Sequence, residues 1–247
     1  MIDRTGGGRR PAFYAARPGG WRDWWTLLHP PYTAWHLAYV VIGASLAPHP
    51  DLARLLGTLL AFLCAVGLAA HALDELHGRP LGTRIPSPVL IAVTVAGLAG
   101  AITLGVIGLS RVGWPLIPFM VLGPILVLAY NWELFGGLVH TDAGFALAWG
   151  SFPVLVAYVA QTGRLALSPV LAAGAALALS AAQRRLSTPA RLLRRRVTDV
   201  AGRITLGDGE SISLDERTLL EPLEKALHAM AWGVVLVAAA LAVARLR

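Results

Sequence analysis

Acidic side chains are rare in the middle of this chain, and they occur close to histidines. Between positions 52 and 198 the sequence has four carboxylates, each at a boundary of an apolar run: Asp74, Glu75, Glu133 and Asp142. His71, Asp74 and Glu75 are spaced i, i+3 and i+4, which places them on one face of a helix. Carboxylates beside an imidazole are typical ligands of a divalent cation. We therefore predict that Asp74 and Glu75 bind a metal ion, with His71 taking part in catalysis beside them.

A second polar cluster follows the fourth apolar run. It comprises Tyr130, Asn131, Trp132, Glu133, His140 and Asp142. We predict that Glu133 and His140 complete the metal site, or that they act with Asp142 as acid and base. The aromatic and amide side chains that open the cluster are predicted to contact a substrate. For Asp142 the alternative is a structural role as the N-cap of the next helix.

Two arginines, Arg79 and Arg84, lie in a stretch rich in Gly and Pro directly after Glu75. Because guanidinium groups bind phosphate or carboxylate oxygens with paired hydrogen bonds, we predict that this loop binds an anionic part of the substrate. The alternative for Arg79 is a surface ion pair with a neighbouring carboxylate. His36 lies about one turn inside the first apolar run, where it either bonds to another helix or reaches the substrate.

The composition is that of a membrane protein. Hydrophobic residues make up 56% of the chain and charged residues 14%, with a mean hydropathy of +0.62, whereas about 25% of an ordinary soluble domain is charged. A bilayer core about 30 Å thick needs about 20 helical residues. Seven apolar runs approach that length, at 32–47, 55–73, 89–110, 112–132, 143–160, 165–182 and 226–244. We predict an all-α integral membrane protein with about seven transmembrane helices.

The basic residues are distributed unevenly between the predicted loops. With the N-terminus in the cytoplasm, sixteen of the 21 Lys and Arg residues fall on the cytoplasmic side and five on the other. Since positive charge in short loops collects inside, we expect a multi-pass protein of the cell inner membrane with a cytoplasmic N-terminus. The net charge of +7 then indicates contact with anionic lipid headgroups. No nucleic-acid-binding motif is present, and no nucleic-acid partner is expected.

The sequence divides into four parts. Residues 1–30 are predicted to form a cytoplasmic segment with an interfacial helix, and residues 31–183 a bundle of six membrane helices. Residues 184–224 form a basic cytoplasmic insert, in which alternating residues flank Gly207-Asp208-Gly209. That pattern is typical of a β-hairpin. Residues 225–247 form the last transmembrane helix.

The first apolar run and the loop after the second resemble the UbiA-type membrane prenyltransferases. The resemblance rests on residues 27–36 (LLHPPYTAWH), on Asp74 where that family has its first aspartate-rich motif, and on residues 149–153 (WGSFP). It covers roughly residues 24–196. It implies a UbiA-like helical bundle around a lipid-accessible cavity, an isoprenoid or lipid substrate, and Mg²⁺ held by Asp74 and its neighbours.

The second aspartate-rich motif of that family has no counterpart, because the sequence after the sixth run, residues 183–189, reads QRRLSTP. Either the Glu133–His140 loop supplies the missing ligands, or the arginines after Gln183 bind a diphosphate directly. The imidazoles would also suit Zn²⁺, Mn²⁺ or Fe²⁺. Three alternatives therefore stay open for the protein. It is an enzyme that transfers or cyclises an isoprenoid diphosphate, a membrane metalloenzyme of another reaction type, or a noncatalytic isoprenoid-lipid-binding subunit.

Overall fold

A computed structural model describes residues 10–245 as a helical bundle with one short β-hairpin. Residues 1–9 and 246–247 lie outside the described residues, and with them Arg4, Arg9 and Arg247 of the predicted charge distribution. In chain order the helices are α1 (Trp21–Leu27), α2 (Pro30–Ser45), α3 (Leu52–Leu76), α4 (Ser87–Val112), α5 (Trp114–Asn131), α6 (Asp142–Thr162), α7 (Leu167–Arg195) and α8 (Glu216–Arg245).

Five of the described helices are long and apolar enough to cross a membrane, namely α3, α4, α5, α6 and α8. Helix α2 has 16 residues, and α7 continues from an apolar half into an arginine-rich half. The protein is therefore an all-α, multi-pass membrane protein, while the number of seven spans stays a prediction.

Helix α4 shows how these helices divide their surfaces between protein and lipid. Its buried residues are Leu90, Thr94 and Gly97, whose spacing of four and three places them on one face. Ile91 and Val95, on the opposite side, are exposed apolar side chains. An outward face this apolar suits contact with lipid acyl chains rather than with water.

Helix α2 lies at the centre of the bundle. Its Trp35 and Tyr39 are fully buried and pack against Val154 of α6 and against Ala173 and Ala176 of α7. The Tyr39 hydroxyl also donates a hydrogen bond to the carbonyl of Ala176, at 3.2 Å. Small residues on the facing helix allow this close approach, which is the usual way in which membrane helices associate. The packing fixes α2 against α6 and α7.

Two helices contain π-helical segments. Leu63–Ala70 is π-helical within α3, and Leu147–Ser151 is π-helical within α6. Such segments change the helix rotation and are frequent at functional sites. Here both border the same cavity, which is described below.

The start of α6 is fixed by Thr141, whose side chain accepts a hydrogen bond from the Gly144 amide at 3.0 Å. The interpretation of Asp142 as the N-cap is therefore wrong, because the preceding residue already caps the helix. Helix α8 begins at Glu216, before the predicted start at residue 225. The reason is Asp215, which accepts from the Thr218 amide at 2.7 Å and so caps the helix.

The hairpin pairs β1 (Gly202–Thr205) with β2 (Ser211–Leu214) in antiparallel register, with Gly202 opposite Leu214. The β1 strand is exposed along its whole length. Helix α7 runs without a break from the apolar part of the bundle to Arg195, so the boundary expected between residues 183 and 184 falls inside this helix. The same helix thus carries its arginines to one end of the bundle.

Candidate functional site

A cavity of about 350 Å³ opens at the arginine-rich end of the bundle. It is lined by parts of α2, α3, α5, α6, α7 and α8 and by residues 11–14 of the N-terminal segment. His71 and Asp74 from one predicted cluster meet Tyr130, Asn131 and His140 from the other at its wall. The fold therefore brings the two separate polar clusters together.

Two imidazoles of the cavity are oriented by backbone carbonyls of the π-helical segments. His36 Nδ1 lies 2.8 Å from the carbonyl oxygen of Trp149, and His71 Nδ1 lies 3.2 Å from that of Gly67. A carbonyl oxygen only accepts, so Nδ1 carries the proton in both rings and Nε2 is the atom left for a ligand. His36 thus bonds to another helix and also lines the cavity, while its contact with a substrate stays a prediction.

His29, at the N-terminus of α2, was not among the predicted site residues. Its ring stacks on that of His71, with centroids 4.2 Å apart, and its backbone adopts the left-handed conformation with φ of 46°. Burial lowers the pKa of His29 well below its ordinary value, and His71, Arg195 and Arg191 lower it further. The imidazole is therefore uncharged at neutral pH.

Asp74 and Glu75 have different surroundings although they are adjacent. Asp74 lines the cavity and interacts electrostatically with Arg195, Arg191 and His140. Glu75 is fully buried outside the cavity lining. Its carboxylate accepts hydrogen bonds from the Leu81 amide at 2.9 Å and from the amide and hydroxyl of Thr83, each at 2.8 Å. Glu75 is therefore bonded to the loop that follows α3 and does not line the cavity.

The two arginines of that loop also lie away from the cavity lining. Arg79 donates to the Ile85 carbonyl and to the Ser87 hydroxyl, both at 2.6 Å. Arg84 has an exposed side chain, and its amide donates to the Asp23 carboxylate at 3.2 Å. Both arginines thus belong to the folded loop between α3 and α4.

The central loop contributes some of its predicted residues and not others. His140 lines the cavity, stacks on the Tyr130 ring at 4.5 Å and has Nδ1 2.8 Å from the Tyr130 carbonyl. Asn131, also in the lining, donates to the Val127 carbonyl at 2.7 Å. Trp132 is 51% exposed. The Glu133 carboxylate is exposed, 4.0 Å from His140 Nε2, so it lies at the surface behind the histidine.

Most of the charged side chains that line the cavity belong to α7. Arg184, Arg191 and Arg195 line it, together with Ser187, and their spacing of three, four and four places them on one helix face. Arg184 pairs with the Asp142 carboxylate at 2.9 Å, which gives that aspartate a role at the rim. Arg194 pairs with both oxygens of Glu224.

A second, apolar cavity of about 280 Å³ lies between α3, α4, α5 and α6. It shares Val66 and Trp149 with the basic cavity, so these side chains form the boundary between the two. We call this second cavity the apolar groove. Away from the boundary it is lined mainly by aliphatic and aromatic side chains, including Phe119 and Phe152. A ligand with a polar head and a hydrocarbon chain matches this pair of spaces.

The fold is similar to that of a solved structure. The chain is similar to the structure of a UbiA homolog from Archaeoglobus fulgidus bound to Cd²⁺, with a TM-score of 0.51, 17% sequence identity, and coverage of 91% of this chain and 85% of that chain. No protein-family model matches the sequence, and no curated protein matches it. The protein therefore has the UbiA-type fold, which confirms the predicted fold class.

The site residues do not fit a cluster of divalent cations. Among residues 10–245, no group of three or more His, Cys, Asp or Glu side chains is placed to hold a metal ion. Within that part of the chain the cavity has two carboxylates, Asp74 and Glu224, and the second is taken by Arg194. The carboxylate and imidazole ligands that a divalent cation needs are therefore not brought together among the described residues.

Sequence reasoning missed Tyr14 and His29 as site residues, and it included Arg191 and Arg195 only in an alternative, among the arginines after Gln183 that bind a diphosphate. The two arginines had a usable signal, because their spacing from Arg184 repeats every three or four residues and indicates one helix face. Tyr14 has no such signal, since it reaches the cavity through an irregular segment. There burial raises the pKa of its hydroxyl well above the ordinary value.

Proposed function

We propose that the protein acts on an isoprenoid diphosphate, by prenyl transfer or cyclisation, at the cytoplasmic face of the inner membrane. The observation that carries this proposal is the contact between a basic cavity and an apolar groove across Val66 and Trp149. The diphosphate would occupy the basic cavity and the hydrocarbon chain the groove. Between them, the bond that breaks would lie against aromatic side chains.

The cavity has groups for both products of ionisation. When the bond between the allylic carbon and the diphosphate oxygen breaks, the electron pair leaves with diphosphate and positive charge remains on carbon. Arg191 and Arg195 stabilise the departing anion, and the rings of Trp149 and Phe145 in the cavity wall stabilise the cation. In prenyl transfer a nucleophilic atom of the acceptor forms the new bond to the cation and loses a proton, and in cyclisation a double bond of the chain forms it and a neighbouring carbon loses the proton. Asp74 is the lining carboxylate that would accept this proton.

The orientation follows from charge. The end of the bundle that holds the cavity also carries most of the arginines outside the apolar runs, including Arg79, Arg84 and the arginines of α7. Since such residues collect on the cytoplasmic side, this end faces the cytoplasm. The polar head of a lipid substrate in the inner leaflet would then lie level with the cavity.

A noncatalytic isoprenoid-lipid-binding subunit is the second candidate. The missing metal-ligand cluster among residues 10–245 favours it, because a protein that only binds lipid needs no cation to activate a leaving group. It predicts binding of the same ligand without release of diphosphate.

The test is turnover of geranylgeranyl diphosphate by purified protein in lipid nanodiscs, with phospholipid extract as the source of acceptor. We expect release of diphosphate together with a new lipid product detected by mass spectrometry. Asp74→Asn should lower that rate by about 100-fold, the usual contribution of a general base. Glu210→Gln, which removes a carboxylate from the exposed turn of the hairpin, should leave the rate unchanged.

Binding without diphosphate release, in wild type as in Asp74→Asn, would support the noncatalytic subunit instead. If neither binding nor release occurs with geranylgeranyl diphosphate or with shorter prenyl diphosphates, the proposed function is wrong.

A further inference from the structure

The cavity has more positive charge than its carboxylates neutralise. Its lining among the described residues includes four arginines, Arg184, Arg191, Arg194 and Arg195, against two carboxylates. The pairs made by Arg184 with Asp142 and by Arg194 with Glu224 account for two of the four. Arg191 and Arg195 are the two that remain.

Arg191 and Arg195 are held by neutral groups. Arg191 donates to the hydroxyls of Ser187 and Thr188, both at 3.2 Å, and Arg195 donates to the carbonyl of Pro11 at 3.2 Å. These bonds orient the guanidinium groups, and among residues 10–245 the one lining carboxylate that interacts with both, Asp74, balances only one of their two charges. Guanidinium groups in such a state are strong ligands for phosphate oxygens.

Two buried polar atoms of the same lining are also without a hydrogen-bond partner within the described residues, His29 Nε2 and Gln183 Oε1. Buried polar groups nearly always have a partner, so these atoms indicate a polar ligand. An amide can present either its oxygen or its NH₂ group, and an imidazole nitrogen can donate or accept. Both can therefore complete the hydrogen bonds of a phosphate.

We propose that Arg191 and Arg195, on one face of α7, bind the diphosphate group of the substrate directly, with no divalent cation between protein and phosphate. Arg184 borders the same space, and His29 and Gln183 supply the remaining hydrogen bonds. The identity of the ligand rests on the proposed function, whereas the mode of binding rests on the charges and unpartnered atoms of this cavity. In this mode of binding, arginine side chains take the place of the metal bridge that the resemblance implies.

The two modes predict opposite signs for the effect of Asp74. If a cation bridges protein and phosphate, Asp74 is its best remaining ligand and its loss weakens binding. If the arginines bind directly, Asp74 repels the diphosphate and competes for the same arginines, with which it interacts. Removing its charge then leaves affinity unchanged or increases it.

The experiment measures binding of geranylgeranyl diphosphate to purified protein in nanodiscs, once with EDTA and once with Mg²⁺. We expect the two Kd values to agree within about threefold. Arg191→Gln should weaken binding about 10- to 100-fold in both buffers, the range for one charge-assisted hydrogen-bonding group. The control is Arg185→Gln, which removes the same charge from an exposed position of α7 outside the cavity lining and should have no such effect.

Inorganic diphosphate and geranylgeraniol separate the two parts of the ligand. If the arginines recognise diphosphate, inorganic diphosphate competes in EDTA with wild type and loses this competition in Arg191→Gln, whereas competition by the alcohol, through the groove, is the same in both. Binding that requires Mg²⁺ and is lost in Asp74→Asn would overturn direct binding while leaving the proposed function intact. No binding of geranylgeranyl diphosphate in either buffer would overturn both.

Discussion

Replacing Glu75 by alanine is expected to destabilise the protein by about 3–5 kcal/mol. The Glu75 side chain is fully buried and accepts three hydrogen bonds, from the Leu81 amide and from the amide and hydroxyl of Thr83. Each buried donor left without an acceptor costs about 1–3 kcal/mol. The effect is measured as a lower midpoint of thermal unfolding in detergent.

Asp74→Ala is the matched control, because it removes a carboxylate from the adjacent position without taking an acceptor from the loop. We expect its unfolding midpoint to stay at the wild-type value. Glu75→Gln should fall between the two, since its amide oxygen still accepts from Thr83 while its NH₂ group faces the Leu81 amide. Equal midpoints for Glu75→Ala and Asp74→Ala would show that Glu75 does not stabilise the loop.

Asp74 and Glu75 show how far residue spacing alone can predict the direction of a side chain. His71, Asp74 and Glu75 share one broad face by their spacing, but Asp74 and Glu75 are separated by about 100° around the helix, since 3.6 residues make one turn. In the structure that angle turns one carboxylate to the cavity and the other to the loop. The sequence alone did not determine which of the two acidic side chains faces the substrate.

The membrane character and the UbiA-type fold could be predicted from the sequence, since long apolar runs and the residues around His29–His36 and Asp74 determine both. The arginines of α7 were predicted as part of a basic cytoplasmic insert, with direct binding of a diphosphate by those after Gln183 as one alternative. What decided their position is that α7 continues as one helix to Arg195 and turns Arg184, Arg191 and Arg195 toward the cavity.

The π-helical segments could not be predicted, because residues 63–70 and 147–151 have the same apolar composition as the α-helical turns around them. Their effect on the site is nevertheless direct. The carbonyls of Gly67 and Trp149 lie within these segments and accept from His71 and His36. Hydrogen bonds between distant backbone and side-chain atoms depend on packing, which periodicity does not encode.

Gly43 lies where the backbones of α2 and α6 come closest. A Cβ atom at this position would lie 2.2 Å from the carbonyl oxygen of Val154 and 2.9 Å from its Cα and carbonyl carbon. Backbone atoms of a packed helix have no alternative rotamer, so the two helices would have to separate. His36 lies two turns earlier on the same face of α2, and its hydrogen bond to Trp149 crosses the same interface.

Gly43→Ala is therefore expected to destabilise the protein by about 3 kcal/mol, the upper part of the range for overpacking, and to weaken binding of geranylgeranyl diphosphate as His36 moves away from Trp149. Thermal unfolding in detergent and ligand binding measure the two effects. Gly174→Ala on α7 is the control, because a Cβ there meets open space and alanine is the better helix former. If both variants unfold and bind like wild type, the close approach of α2 and α6 does not hold the cavity together.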